Sequence, residues 1–196
     1  RKNAENKRDG LLRAARSLVA AGGFRAATVA AVAGRCEVSV GSVYSYFDSR
    51  DGLLAEVFRS AAGHEIDVVR AAVTTAGSPA TDRLGALVAT FSERALRGRR
   101  MAWALLFEPV SPAVEAERLT YRRSWTDLGE QIIADGVAAG EFVPQDARLA
   151  SSAVMGAVSE ALVGWLRPDG TDPSDDVVDG IRRFCFRALG AREETP

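Results

Sequence analysis

Apolar residues recur at helical spacing along the whole chain, and that periodicity leaves little but an all-α fold open to it. Leu11, Ala15, Leu18 and Val19 stand at i, i+4, i+7 and i+8, and Gly22-Gly23 follows as a stop signal. Thr28 is placed to cap a short helix from Val29 to about Cys36, with Val29, Val32 and Ala33 on one side. After a break at Glu37-Val38-Ser39, Ser39 caps a second short helix through Phe47. A longer helix begins at Asp48 or Ser49, with Leu53, Leu54, Val57 and Phe58 in register, and reaches into the 60s and 70s. Beyond the Thr74 to Pro79 interruption, Leu84, Leu87, Val88, Phe91 and Ala95 define the next helix. The Met101–Phe107 run, apolar on all sides, predicts a helix buried within a bundle. Pro109 and Pro112 mark a turn before a long helix traced by Val114, Tyr121, Trp125, Leu128, Ile132 and Ile133, which ends near Ala139-Gly140. Leu149 to Leu166 and Val177 to Leu189 complete the set. No segment alternates with the period of a strand, so the expectation is about nine helices and no sheet.

With 196 residues, 47% of them hydrophobic, and a net charge of −1, the chain has enough apolar surface to fold. No run approaches the ~18–20 consecutive apolar residues of a bilayer-spanning helix, and no apolar stretch backs the polar start, so neither membrane nor secretion is expected. Cys36 and Cys185 lack a CxxC or Cys/His neighbourhood and read as buried thiols of a reducing compartment, which places the protein in the cytoplasm. The single histidine, His64, cannot build a His-rich metal site and reads as a surface or capping residue. HExxH, GxSxG, GxGxxG and GxxxxGK[ST] are all absent. No metal, no cofactor and no catalytic residue is expected.

Overall neutrality conceals an uneven distribution of charge. Residues 1–50 hold nine Lys and Arg against four acids, a net of +5, and the remainder carries −6. A basic head on an acidic body suits a polyanionic partner for the head, although a chance fluctuation in surface charge gives the same count. Residues 28–47 fit two short helices joined by a tight turn, a hairpin whose second helix can enter a major groove about 12 Å wide. Val32, Ala33 and Cys36 of the first helix and Val38, Val43 and Phe47 of the second would face inward. Ser39, Val40, Ser42, Tyr44, Ser45 and Tyr46 would face outward, a neutral set of hydroxyls and one branched methyl residue suited to a thymine methyl. Two short helices can equally be part of a helical core. The surrounding basic residues and the outward tyrosines favour DNA.

Residues 8–58 resemble the DNA-binding head of the tetracycline-repressor (TetR) family. Thr28-Val29, Val32-Ala33, the run Cys36-Glu37-Val38-Ser39-Val40-Gly41-Ser42-Val43-Tyr44-Ser45-Tyr46-Phe47-Asp48-Ser49-Arg50 and Leu53 follow its pattern, and Gly23-Phe24 matches its Gly-aromatic. The resemblance implies an N-terminal three-helix head with a helix-turn-helix at residues 1–50. It also implies a C-terminal helical ligand-binding and dimerisation bundle at 51–196. Thr28 would then hold a phosphate at a helix start, and Tyr44 and Tyr46 would contact backbone. Ser39, Val40, Gly41, Ser42 and Ser45 would lie against base edges, and Arg50 would take the phosphate role of the family's Lys. Arg1, Lys2, Lys7 and Arg8 would form an arm along the DNA, adding salt-sensitive affinity. Three departures stand out: Glu37 where the family has Gly, a turn position suited to φ > 0; Val40 and Ser45 where longer polar side chains are common; and Tyr46 in place of His.

A short reading helix touches few base pairs, so specificity calls for two of them about 34 Å apart on a pseudo-palindromic operator, hence a homodimer. The family implies that the last two helices pair with their twins. Ala153, Gly156, Ala157 and Gly164 offer a small-residue face, and Val177, Ile181, Phe184, Cys185, Ala188 and Leu189 an apolar stripe, which would otherwise be intramolecular core. Phe91, Trp103, Phe107, Tyr121, Trp125 and Met155, with Glu160 and Glu108 as polar groups and Arg118 or Arg122 as counter-ions, are the candidates for an apolar effector cavity. Each aromatic taken alone reads equally as core. The function expected is a transcriptional regulator, a repressor released by a small, largely apolar ligand. A helical small-molecule carrier that never meets DNA is the alternative. An enzyme using Glu108 or Glu160 ranks last, because neither has a second catalytic partner at recognisable spacing.

Overall fold

The computed structural model describes residues 2–191, with side chains from residue 5 onward, and the described part is all helical. Its elements are α1 (Lys2–Gly22), a 3-10 turn (Phe24–Ala26), α2 (Val29–Arg35), α3 (Val40–Tyr44), α4 (Arg50–Thr75), α5 (Ala80–Arg97), α6 (Arg99–Leu106), α7 (Pro112–Ala138), α8 (Ala147–Leu166) and α9 (Val177–Ala188). Pro112, read from sequence as a turn marker, opens α7, where its missing N–H costs nothing. The second helix of the hairpin is shorter than its sequence suggests and stops at Tyr44.

Local chemistry sets most of the boundaries. Thr28 Oγ1 accepts from the Ala31 N–H at 3.1 Å, Ser39 Oγ from Ser42 at 3.1 Å and Asp146 Oδ1 from Leu149 at 2.9 Å. Three helices close with the same pair of backbone bonds. In α7, Glu141 N–H donates to the Gly136 carbonyl and Gly140 N–H to Val137; in α9, Ala191 donates to Phe186 and Gly190 to Arg187. In α2, Val38 donates to Ala33 at 3.0 Å and Glu37 to Gly34 at 3.3 Å. This motif places one residue in the left-handed region, and those residues are Gly140 (φ 73), Gly190 (φ 60) and Glu37 (φ 54). Glu37 is the only non-glycine with positive φ among the described residues, as its place in the turn leads one to expect.

The chain forms two compact units. The first takes the residues up to Gly63 together with Gly98–Tyr121. In it α1 packs against the 3-10 turn, α2 and α6, and α2 against α3. Leu11, Ala15, Val19, Val32, Val43, Phe47, Leu53 and Val57 are buried around Phe58, which stacks with Phe24 at 6.3 Å and meets the edge of Tyr121 at 6.0 Å. Truncating so enclosed a ring to alanine removes about 3–5 kcal/mol of stability. Met101, Trp103 and Phe107 are only half-buried and α6 buries Ala104 and Leu105 alone, so it is a one-sided helix rather than one enclosed all round.

The second unit comprises His64–Arg97 and the residues from Arg122 onward. Here α5 packs on α8 and α9, and α8 on α9. Phe91 and Trp125 meet edge to face at 4.9 Å. Helices α7 and α8 approach closely at Gly129, where any Cβ would collide with Ser151, whose hydroxyl donates to the Thr126 carbonyl at 2.8 Å. By length and composition α8 is apolar enough to cross a membrane, although polar residues interrupt its apolar run. Its apolar content has another use: Val154, Val158, Leu162 and Leu166 are buried inside the unit.

Candidate functional site

Val29, Val32 and Ala33 of α2 and Val43 and Phe47 beyond the turn are buried, so the hairpin is pinned by its inner face. Val38, assigned inward from sequence, is 38% exposed, because the motif that ends α2 uses its N–H and leaves its side chain at the surface. The outer face carries Ser39, Val40 (43% exposed), Gly41, Tyr44 (49% exposed) and Ser45, with Ser42 and Tyr46 half-buried. Ser39 and Ser42 hydroxyls lie 2.9 Å apart and the Ser45 hydroxyl donates to the Gly41 carbonyl at 3.1 Å, so the short helix is braced by its own serines. An exposed tyrosine and a branched methyl among hydroxyls give a surface able to take both phosphate and base-edge contacts.

Thr28 is exposed; its oxygen caps α2 and its O–H remains able to donate. Arg50 is half-buried and gives one donor to the Phe24 carbonyl at 3.0 Å, leaving the rest of its fork for other acceptors. Lys2, Lys7 and Arg8, expected to form an arm along DNA, stand on α1. Residues from Lys2 are helical, and Arg8 is bound in both directions, pairing with the Glu56 carboxylate at 2.5 Å and lying 4.9 Å from the Phe47 ring centre. Lys7 is exposed, whereas Arg1 and the Lys2 side chain lie outside the described residues.

The residues assigned to an effector cavity are divided between the two units. Trp103 and Phe107, whose rings are 5.3 Å apart, and Tyr121 belong to the first unit; Phe91, Trp125, Met155 and Glu160 belong to the second. Glu160 is exposed on α8, along the same strip as Leu149, Ala153, Gly156 and Gly164, and is not enclosed as a cavity carboxylate should be. Met155 is half-buried. Glu108 and Arg118 have partners within the first unit. Glu108 accepts from the Phe24 and Arg25 amides, and Arg118, 6% exposed, donates to the carbonyls of Ala104, Leu105 and Glu108 at the end of α6 and pairs with Glu115 at 2.7 Å. An open cleft of about 530 Å³ lies in the second unit, lined by Arg70, Val73, Thr74, Gly77, Arg83, Asp127, Leu128, Gln131 and Ile132, none of them chosen from sequence. His64 is exposed on α4, as expected of a surface residue.

The stripe on α9 divides in two. Ile181, Cys185 and Leu189 are buried, and burial pushes the Cys185 thiol up to about 11. Phe184, 53% exposed, and Ala188 face outward, as does Leu149 on α8 at 69% exposed.

A capped two-helix hairpin, offering hydroxyls and an aromatic from an otherwise buried frame, defines a helix-turn-helix DNA-binding protein. Residues 11–57 match the family described as bacterial regulatory proteins, tetR family, and residues 77–189 match the tetracyclin repressor-like C-terminal domain. The chain is 31% identical over 176 residues to the HTH-type transcriptional repressor KstR2 of Rhodococcus jostii, covering 87% of this chain and 85% of that one. The fold is similar to that of the fatty acid degradation regulator FadR from Bacillus halodurans, with TM-score 0.78, 21% identity and coverage of 95% of this chain and 97% of that one. It is also similar to the transcriptional regulator FadR from Bacillus subtilis, solved in complex with stearoyl-CoA, with TM-score 0.76, 18% identity and coverage of 94% and 98%. The chain belongs to the tetR family, and is a DNA-binding transcriptional regulator rather than an enzyme.

Proposed function

We propose that the protein is a repressor that binds a pseudo-palindromic operator as a homodimer, in the cytoplasm, and leaves it when a small, largely apolar effector binds in the helical region after residue 50. The observation that carries the reading is the outer face of α3, where Val40 and Tyr44 are exposed beside serines while Val43 and Phe47 anchor the same segment. In this reading Ser39, Val40, Gly41, Ser42 and Ser45 face bases, and Thr28, Tyr44, Tyr46, Arg50 and Lys7 face phosphates and sugars. Leu149, Ala153, Gly156 and Gly164 on α8 and Phe184 and Ala188 on α9 supply the pairing face, since apolar groups this exposed gain by being covered. Phe91, Trp125 and Met155, with the fully buried Ser92 hydroxyl that has no hydrogen-bond partner among the described residues, are candidates for effector contact in the second unit. The complex of a similarly folded regulator with stearoyl-CoA makes a long acyl chain, the apolar part that would enter the helical region while its polyanionic CoA head stays outside, the first class to try.

The experiment is capture of genomic fragments by the purified protein, followed by titration of the recovered operator with Tyr44→Ala and Arg50→Ala and with stearoyl-CoA added. Loss of operator binding in both variants and release by the thioester are expected. Binding unchanged in both variants would remove the operator assignment and leave a helical small-molecule carrier as the better account.

A further inference from the structure

We propose that Glu108 is a positioning residue for operator binding: from the end of α6, its carboxylate fixes the entrance to the reading hairpin without touching DNA. The proposal rests on the operator-binding reading above and assigns a role that the hairpin's own residues do not fill.

The 3-10 turn at Phe24–Ala26 sets the direction in which the chain leaves α1 and enters α2, and its first N–H groups have no helical partner of their own. Glu108 supplies one. The Phe24 N–H donates to Oε2 at 3.0 Å and the Arg25 N–H to Oε1 at 3.3 Å, so each carboxylate oxygen takes one amide. Gly23 makes room for it: at φ 78, any Cβ there would collide with the Glu108 carboxylate. Phe24 is held on its other side as well, because Arg50 at the start of α4 donates to its carbonyl at 3.0 Å. Two residues beyond the turn Thr28 caps α2, and its own N–H donates to the Ala26 carbonyl at 3.0 Å.

Glu108 is itself held firmly. Arg118 of α7, almost fully buried, donates to the Glu108 carbonyl at 2.7 Å, to Leu105 at 2.8 Å and to Ala104 at 3.1 Å. A continuous string of charge-assisted bonds therefore runs from α7 through the end of α6 to the root of the hairpin, all within the first compact unit. A displacement of α6 or α7 would be felt at Phe24 before it reached α3.

The sign of the effect separates this role from simple electrostatics. A carboxylate held against the basic head repels a polyanion, so charge alone predicts that neutralising Glu108 tightens DNA binding. Positioning predicts the reverse, because glutamine has one carbonyl oxygen for two amides. In the full-length protein, Glu108→Gln should weaken binding to the captured operator about tenfold, within the ordinary range of coupling between sites. Binding to unrelated DNA should not weaken, the salt dependence should stay the same because Glu108 touches no phosphate, and the Phe24 and Arg25 amides should exchange faster. Glu108→Asp, which keeps the charge and shortens the reach, should weaken operator binding too. Operator binding unchanged or tighter in Glu108→Gln overturns the proposal, as does parallel loss of specific and non-specific binding together with a collapse of thermal stability. Tyr44→Ala runs alongside: if that variant binds operator normally, it is the operator reading that has failed; if it loses the operator while Glu108→Gln binds as the parent does, the positioning role has failed alone.

Discussion

Glu37 sits at φ 54 in the two-bond motif that ends α2, the place held by Gly140 and Gly190 at the ends of α7 and α9. An L-residue in this region bears about 1–2 kcal/mol of steric cost between Cβ and the backbone. Glycine removes that cost but enlarges the unfolded ensemble, returning roughly 0.4–1 kcal/mol. The balance for Glu37→Gly is a gain of about 0.5–1 kcal/mol, which at about 2–4 °C per kcal/mol for a chain of this size raises Tm by a few degrees. Urea titration should show the midpoint rising at unchanged slope. Glu37→Val, with a branched Cβ in the same conformation, should lower stability by about 1 kcal/mol, the excess of its strain over that which glutamate already bears. Gly140→Ala is the internal control: nothing lies within 4 Å of the added Cβ, so its loss of stability isolates the backbone effect. Glu37 is also exposed, on the turn leading into α3, so Glu37→Gly and Glu37→Asn should both bind DNA more tightly at low salt. A lower midpoint for Glu37→Gly, or a Glu37→Val protein as stable as the parent, would refute the reasoning.

Charging the outward face of the last two helices, by Phe184→Asp or Leu149→Asp, should leave the fold intact, since both side chains are exposed, but yield monomers in sedimentation and sharply weaker operator binding; a persistent dimer would point to another pairing face. Burial pushes the Glu141 carboxyl up, but the Thr81 and Ala80 backbone amides, the Thr81 hydroxyl and Arg83 outweigh it and hold it below its ordinary range. A carboxyl with a lowered folded value stabilises at neutral pH and loses that contribution as pH falls through its folded value, so Glu141→Gln should flatten the decline in Tm below about pH 4.5; an unaltered acid limb would count against it. A thiol reagent at pH 8 should modify half-buried Cys36 readily and Cys185 only on unfolding, because burial keeps the latter thiol protonated; two equally fast thiols would contradict the packing of α9.

What the linear order of residues determined is local. Helical spacing, the oxygens of Thr28 and Ser39 and Gly140 closing α7 all depend on groups a few positions apart, so they were legible without a fold, while the positive φ of Glu37 was legible through the resemblance, which has Gly there. Much of the outward set around α3 was legible for the same reason, since the spacing of Val43 and Phe47 turns Ser39, Val40, Tyr44 and Ser45 to the surface, whereas Ser42 and Tyr46 are half-buried. Tertiary structure decided the rest. Arg118 and Glu108 looked like polar groups for a cavity, yet the carbonyls at the end of α6 and the amides of Phe24 and Arg25 claim them. Phe24 and Glu108 are 84 positions apart, and no periodicity encodes such a meeting. The partners of Arg8 were equally hidden, since Glu56 and Phe47 stand 48 and 39 positions away along the chain. Helical patterns state which side of a helix is apolar; what covers that side depends on neighbours brought together by packing. For this reason the α9 stripe divides into a buried Ile181, Cys185 and Leu189 and an exposed Phe184 only once α5 and α8 are in place.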